Sequence, residues 1–269
     1  MSSSAHTSER IVIEIGGLPL SFRARDDQFL AMLERRYANF LSNRSDSLVE
    51  VIVTVAASRS APNDDPLEVR RRGEEWTIRR GDFCASWNAS TGRAHLRQSL
   101  NPWSCDTVLR VIHSLLLSDR RGFLLHAASA VVDDRAYIFS GVSGAGKSTI
   151  LSLAPADVIR LTDEISYIRK IDDRYCGFGT PFTGELNTPG VNAAAPIKGL
   201  YFLVQGPVNR IVPLSPASAA RRLMRNLLFF AGETAQGAQV LESVGDFVSS
   251  VPACELTFRP EPEVWDLFA

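Results

Sequence analysis

The run Gly141-Val-Ser-Gly-Ala-Gly146-Lys147-Ser148-Thr149 constrains this 269-residue chain more than any other feature. It has the spacing GxxxxGK[ST]. A short apolar strand, Ala136–Ser140, runs into it, and a helical stretch from about Lys147 to Ala154 runs out until Pro155 stops it. Glycines at 141, 144 and 146 let the backbone curl so that consecutive N–H groups point inward at an anion. The following helix adds the positive end of its dipole. Strand, glycine loop and helix in that order form the context in which this pattern cradles the phosphates of a nucleoside triphosphate such as ATP. Gly141, Ser143, Gly144, Ala145, Gly146, Lys147, Ser148 and Thr149 are therefore the expected nucleotide contacts. Lys147 is expected to reach the β- and γ-phosphates as a point charge, and the Ser148 hydroxyl to hold Mg2+.

The distance from this loop to the next acids limits the fold. Val158–Leu161 reads as the next strand and ends at Thr162-Asp163-Glu164, so only one short helix fits between. Asp133-Asp134-Arg135 and Asp172-Asp173-Arg174 read as tight polar turns. The first joins Phe123–Val132 to Ala136–Ser140, and the second joins Ile165–Ile171 to Tyr175–Phe178. Tight turns join antiparallel strands, whereas a repeated parallel βαβ sheet needs longer crossovers. The expectation is an α/β (α+β) domain with a mixed sheet. The carboxyl ends of strands in an open sheet adjoin the ligand crevice. Asp163 and Glu164 should thus share a rim with the loop, as metal ligands or as the base that takes a proton from an attacking hydroxyl.

The length suits one core domain plus a smaller one. Residues 1–9 read as a disordered tail, 10–120 as an N-terminal α+β lobe and 121–269 as the nucleotide-binding domain. In the lobe, Arg10–Phe22 reads as a hairpin, Asp26–Leu41 as an amphipathic helix, Leu48–Ala56 as a strand and Ser58–Pro66 as a loop. Glu68–Arg97 alternates and suggests two or three antiparallel strands, and Asn101-Pro102 opens a helix to about Ser118. Beyond the acids, Thr180–Pro196 is a long aperiodic stretch, a candidate acceptor-binding or lid segment. Gly199–Val204 and Arg210–Pro213 look like a hairpin. Helices are expected from Ser215-Pro216 to about Phe230 and over Thr234–Ser249, with a last strand at Cys254–Phe258.

Basic and acidic residues nearly balance, with 29 against 30. That argues against a duplex nucleic-acid partner or an anionic membrane surface. Four scattered cysteines with no CxxC pair read as reduced thiols of a cytoplasmic protein. The first ten residues lack the apolar core of a signal peptide, and no apolar run is long enough to span a membrane.

Leu124–Val132 (LLHAASAVV), the loop GVSGAGKS and then Leu161–Glu164 (LTDE) together resemble the HPr serine kinase/phosphorylase family, whose catalytic domain is related to phosphoenolpyruvate carboxykinases. The likeness covers roughly Phe123–Arg210. Thr180 through Glu185 to Phe202 is similar to the short HPr-kinase-like proteins found beside peptide-modifying enzymes, including lasso-peptide kinases. The resemblance implies a P-loop kinase domain that uses Mg2+ and ATP. It implies that Asp163 is the general base toward a serine hydroxyl and that Glu164, standing where the family has a second aspartate, assists with metal. It also implies that His126 is an active-site histidine paired with Asp163, that Lys198 contacts phosphate, and that the chain forms a homo-oligomer. The Arg-Gly-rich signature of the family's phosphorolytic reaction is not found, and the first 115 or so residues do not resemble its regulatory domain. The expected activity is phosphate transfer to a hydroxyl, on a serine of a peptide or small protein such as a lasso precursor. The alternatives are a nucleotide-dependent peptide- or partner-binding module without transfer, and a small-molecule kinase.

Overall fold

The computed structural model describes residues 9–57, 65–231 and 235–268. Most of the expected tail and of the Ser58–Pro66 loop lies outside these residues. The chain divides into two compact units, Met1–His113 with Phe230–Gly232, and Ser114–Phe229 with Glu233–Ala269.

The N-terminal unit is built on a seven-stranded mixed sheet. Strands β1 (Glu9–Ile15) and β2 (Leu18–Ala24) form the expected hairpin, with Gly16 and Gly17 both at positive φ, as a two-residue turn requires. Helix α1 (Asp27–Arg36) follows, capped by the Asp26 carboxylate on the Phe29 N–H at 2.8 Å. It ends earlier than the sequence pattern suggests, and a 3-10 turn at Ala38–Phe40 completes the apolar face. Strand β3 (Val49–Val55) lies parallel to β2. The stretch expected to hold two or three strands holds four: β4 (Glu68–Arg72), β5 (Glu75–Arg80), β6 (Phe83–Asn88) and β7 (Arg93–Gln98). They meander, giving the order β1-β2-β3-β7-β6-β5-β4. Trp76, Ile78, Ala85, Trp87, Ala94 and Leu96 point to the core, and their alternate neighbours point to solvent. Helix α2 (Pro102–Ser118) runs through the division between the units.

The C-terminal unit carries a nine-stranded mixed sheet. Strands β8 (Gly122–Val132) and β9 (Arg135–Ser140) pair antiparallel across a turn whose Asp133 and Asp134 both have positive φ. A six-residue helix α3 (Lys147–Ser152) follows the glycine loop, and β10 (Ile159–Thr162) returns antiparallel to β8. Strands β11 (Ile165–Ile171) and β12 (Arg174–Phe178) make the second tight hairpin. Strand β13 (Ala194–Gln205) starts five residues earlier than expected and is parallel to β9. The hairpin expected between β13 and β14 (Arg210–Pro213) does not form: β16 (Ala253–Phe258) lies between them, parallel to β13 and antiparallel to β14. Helix α4 (Pro216–Met224) stops short of Phe230, because Leu227 and Leu228 leave it as β15 to pair with β8. Helix α5 (Ala235–Ser250) matches its expected span.

Two apolar layers sandwich this sheet. On one side Phe123, Leu125, Ile138 and Leu200 pack with Leu223 of α4 and Val244 and Phe247 of α5. On the other, Phe139, Leu203, Leu256 and Phe258 pack with Ile150 and Leu151 of α3 and with Trp265 and Phe268 of the C-terminal 3-10 turn. Each fully buried side chain of this size contributes about 1.5–3 kcal/mol. These layers therefore hold the strand ends at the glycine loop in fixed register.

Candidate active site

Strands β9, β13 and β16 run parallel, and the glycine loop leaves the carboxyl end of β9. Ser140 is level with Phe202 on β13 and with Ala127 on β8. His126 therefore sits one residue from the loop's root, and its register partner on β11 is Ile165, next to Glu164. This topology brings His126, the loop and the acid pair to one end of the sheet, although the sequence separates them.

The loop is built as the sequence suggests. Gly144 and Gly146 have φ of 77° and 102°, which L-residues rarely adopt. A Cβ at Gly146 would lie 2.6 Å from Cζ of Phe258, so the ring under the loop also demands glycine. Gln205 at the end of β13 donates from Nε2 to the Gly144 carbonyl at 2.8 Å, and the Trp265 indole donates to the Ile150 carbonyl at 2.9 Å. Loop and helix are thus fastened from below.

Lys147 is 8 % exposed and folds back inside the curl. Its ammonium donates to the carbonyls of Gly141 and Val142 at 3.2 and 3.4 Å. Burial holds its pKa below the ordinary lysine value, while the carboxylates of Glu164 and Glu185 oppose that shift. Among the described residues the Ser148 hydroxyl has no hydrogen-bond partner. Ser143 is exposed and Thr149 half-buried.

The two acids have different surroundings. Asp163 is 5 % exposed, and its two carboxylate oxygens accept the backbone N–H groups of Gly184 and Leu186, each at 2.9 Å. Thr162 and Thr180 add to the same anchorage: the Thr180 hydroxyl donates to the Ile165 carbonyl at 2.8 Å and lies 3.1 Å from the Thr162 hydroxyl. The long stretch after β12 is therefore tied beneath the acids. Gly179 and Gly190 pack so closely on the carbonyls of Val191 and Leu161 that neither has room for a Cβ. Glu164 is half-buried and lies 3.6 Å from Nε2 of His126, an ion pair when the imidazole is protonated. The pairing expected between His126 and Asp163 is made with Glu164 instead, because β8 pairs with β11 and so sets His126 beside the residue preceding Ile165.

Lys198 is not brought to the loop. It is exposed at a register shift in β13, level with the start of β9, four strand residues from the loop's root. At about 3.3 Å per residue that is roughly 13 Å. Glu185, in contrast, acts on Lys147 and received no role from the sequence. The signal for it was present, since it lies in the stretch that follows the acids in the resemblance, but no spacing rule singles it out.

No family model and no curated protein matches the sequence. Among solved structures, the HPr(Ser) kinase/phosphatase from Coxiella burnetii aligns with 10% identity over 51% of this chain and 85% of that one, at a TM-score of 0.30. A likeness this distant carries no argument about activity. No helix among the described residues is long and apolar enough to cross a membrane.

Proposed function

We propose that the C-terminal unit is an ATP-dependent phosphotransferase that moves the γ-phosphoryl group to a hydroxyl, in particular a serine of a peptide or small protein. The observation that carries this reading is the convergence of a phosphate loop with an acid at the same end of the sheet, close enough to act on the loop's lysine. Lys147 lies in the loop's curl, Glu164 acts electrostatically on Lys147, and His126 on the adjacent strand stands 3.6 Å from Glu164.

The residues fit Mg2+ with a nucleotide. Among the described residues no group of three or more His, Cys, Asp or Glu is placed to hold a metal ion unaided. Ser148 offers the ion a hydroxyl. The ion would therefore arrive with the triphosphate and, when bound, neutralise charge on its β- and γ-oxygens. Inward-facing loop N–H groups and Lys147 would hold those oxygens and stabilise the charge that grows on them. On binding, Lys147 exchanges the carbonyls of Gly141 and Val142 for phosphate oxygens.

In this reading the base role expected of Asp163 passes to Glu164. Asp163 already binds two N–H groups and serves to position the 184–186 segment. Glu164 accepts the proton of the acceptor hydroxyl as its oxygen bonds to the γ-phosphorus. The bond from that phosphorus to the β–γ bridging oxygen breaks, and ADP leaves. His126 orients Glu164.

The test is mass spectrometry after incubation with Mg-ATP and serine-containing peptides, using wild type, Lys147→Ala and Glu164→Gln, with ATP-dependent thermal stabilisation measured alongside. Wild type should add one phosphate. Lys147→Ala should lose stabilisation and transfer together. Glu164→Gln should keep stabilisation and lose at least a hundredfold in rate. Stabilisation of wild type by ATP without transfer to any peptide or hydroxyl metabolite would support a nucleotide-dependent binding module instead.

A further inference from the structure

The N-terminal sheet has one face in the core and one open face, and the open face is strongly basic. Register places its outward side chains in rows across the strands. One row reads Glu68, Arg79, Cys84, Arg97 and Thr54. The next reads Arg70, Thr77, Ser86, His95, Ile52 and Arg23, and a third contains Arg72, Glu75, Asn88, Arg93 and Glu50. Six arginines and a histidine thus face three glutamates, in a chain whose net charge is −1. Two of the three glutamates are already engaged, Glu50 by Arg23 at 2.6 Å and Glu68 by Arg70 at 3.2 Å. Arg72, Arg79, Arg93 and Arg97 are exposed, and no carboxylate among the described residues lies within ion-pair distance of them. A depression of about 580 Å³ opens over the first row, lined by Arg70, Arg79, Cys84 and Arg97 as well as Asp65 and Glu68.

A sheet face with no function would spread charges of both signs. This one collects unpaired guanidinium groups, whose forked donors match carboxylates. Nucleic acid is the other polyanion such a face could take, but single strands need aromatic platforms for base stacking. The aromatic residues of these strands, Phe22, Trp76, Phe83 and Trp87, are all turned into the core at 0–4 % exposure. We propose that the open face of the N-terminal sheet is a docking surface for an acidic peptide segment. Arg79 and Arg97 stand two strands apart, about 10 Å, and Arg93 and Arg97 four residues apart on one strand, about 13 Å. An extended peptide advances about 3.3 Å per residue. The surface therefore fits carboxylates at every third or fourth position, or an unbroken acidic run. This docking needs no nucleotide and stands apart from phosphate transfer.

The test uses the full chain without nucleotide and a fluorescein-labelled decaglutamate, followed by anisotropy at low salt. The expected result is saturable binding that weakens as salt rises, and no binding of decaglutamine. Arg79→Glu/Arg97→Glu should weaken it at least tenfold, and the milder Arg79→Gln/Arg97→Gln pair should weaken it less while retaining the wild-type circular dichroism spectrum. Cys84 lies in the same row between the two arginines and is exposed, so bound peptide should also slow its alkylation, read by peptide mass. Unchanged affinity in both double variants would overturn the proposal. So would tighter binding of decathymidine than of decaglutamate, which would make the surface a nucleic-acid site.

Discussion

Asp163→Asn separates the anchoring role of Asp163 from the chemistry, and its cost follows from two hydrogen bonds. In the native protein each carboxylate oxygen accepts one backbone N–H at 2.9 Å, from Gly184 and from Leu186. Asparagine presents one oxygen and one NH2 group, so one of those N–H groups would face another donor. The retained bond changes from charged to neutral, a loss of about 1 kcal/mol, and the other is lost at about 1.5–3 kcal/mol. Gly184 and Leu186 are half-buried, so water recovers part of this. The net effect is about 2–3 kcal/mol, confined to the segment after β12. Hydrogen exchange of the Gly184 and Leu186 amides reads it directly. At 1.4 kcal/mol per tenfold, their protection should fall about 30- to 150-fold, while amides of β8 and β13 exchange as in wild type. Nucleotide-dependent stabilisation should persist, and transfer should fall by less than in Glu164→Gln. Unchanged protection at 184 and 186 would refute the anchoring argument. A larger loss of transfer than in Glu164→Gln, with protection intact, would return the base role to Asp163.

Gly146→Ala combines a φ of 102° with a Cβ placed 2.6 Å from the Phe258 ring. Backbone strain and overpacking together should cost about 2–5 kcal/mol and lower the melting temperature of the C-terminal unit by roughly 5–15 °C, measured by calorimetry. Gly184→Ala would place a Cβ 2.7 Å from one Glu164 oxygen and 3.0 Å from one Asp163 oxygen. It should reduce transfer at least tenfold while leaving ATP-dependent stabilisation intact, since neither contact touches the loop. Asp82 supplies a pH test for the N-terminal unit. Burial would raise its pKa, but the Arg80 guanidinium at 2.6 Å and the Ser104 hydroxyl at 2.6 Å bring it below the ordinary value of 3.8. The stabilisation is present above 3.8 and is lost as pH falls through the lower folded value. Asp82→Asn should therefore flatten the acid limb of unfolding followed by tryptophan fluorescence, and an unchanged limb would disprove the assignment.

The local chemistry of this chain could be read directly from its residues. Asp133-Asp134 and Asp172-Asp173 behave as tight turns because aspartate tolerates the left-handed conformation that each adopts. Gly16-Gly17 closes its hairpin for the same reason, and the Ser215-Pro216 pair caps α4. The pairing between distant segments could not be read. Gly199–Val204 and Arg210–Pro213 alternate as hairpin strands do, yet β16, over forty residues later, inserts between them. Nothing in the alternation of one strand specifies which neighbour it takes. Leu227-Leu228-Phe229-Phe230 continues a helical apolar face, and only pairing with β8 draws its first two residues out of that helix.

The same distinction governs the site. Loop glycines, Lys147 and Ser148 are specified by contiguous sequence, so their geometry follows from the motif. Asp163 and Glu164 are equivalent in sequence, as two acids closing one strand, and nothing local says which is anchored and which faces the loop. That division is decided by elements twenty or more residues away. The 184–186 backbone returns to bind Asp163, and β8 pairs with β11 to bring His126 against Glu164. Both carboxylates adjoin Gly184, but only Asp163 accepts the N–H groups of Gly184 and Leu186, while Glu164 also stands beside His126. The two Asp163 oxygens are occupied by backbone N–H groups that hold the 184–186 segment. If, as proposed, Glu164 takes the acceptor's proton while Asp163 anchors the segment, exchanging the two residues, Asp163→Glu with Glu164→Asp, should impair transfer even though both acids remain.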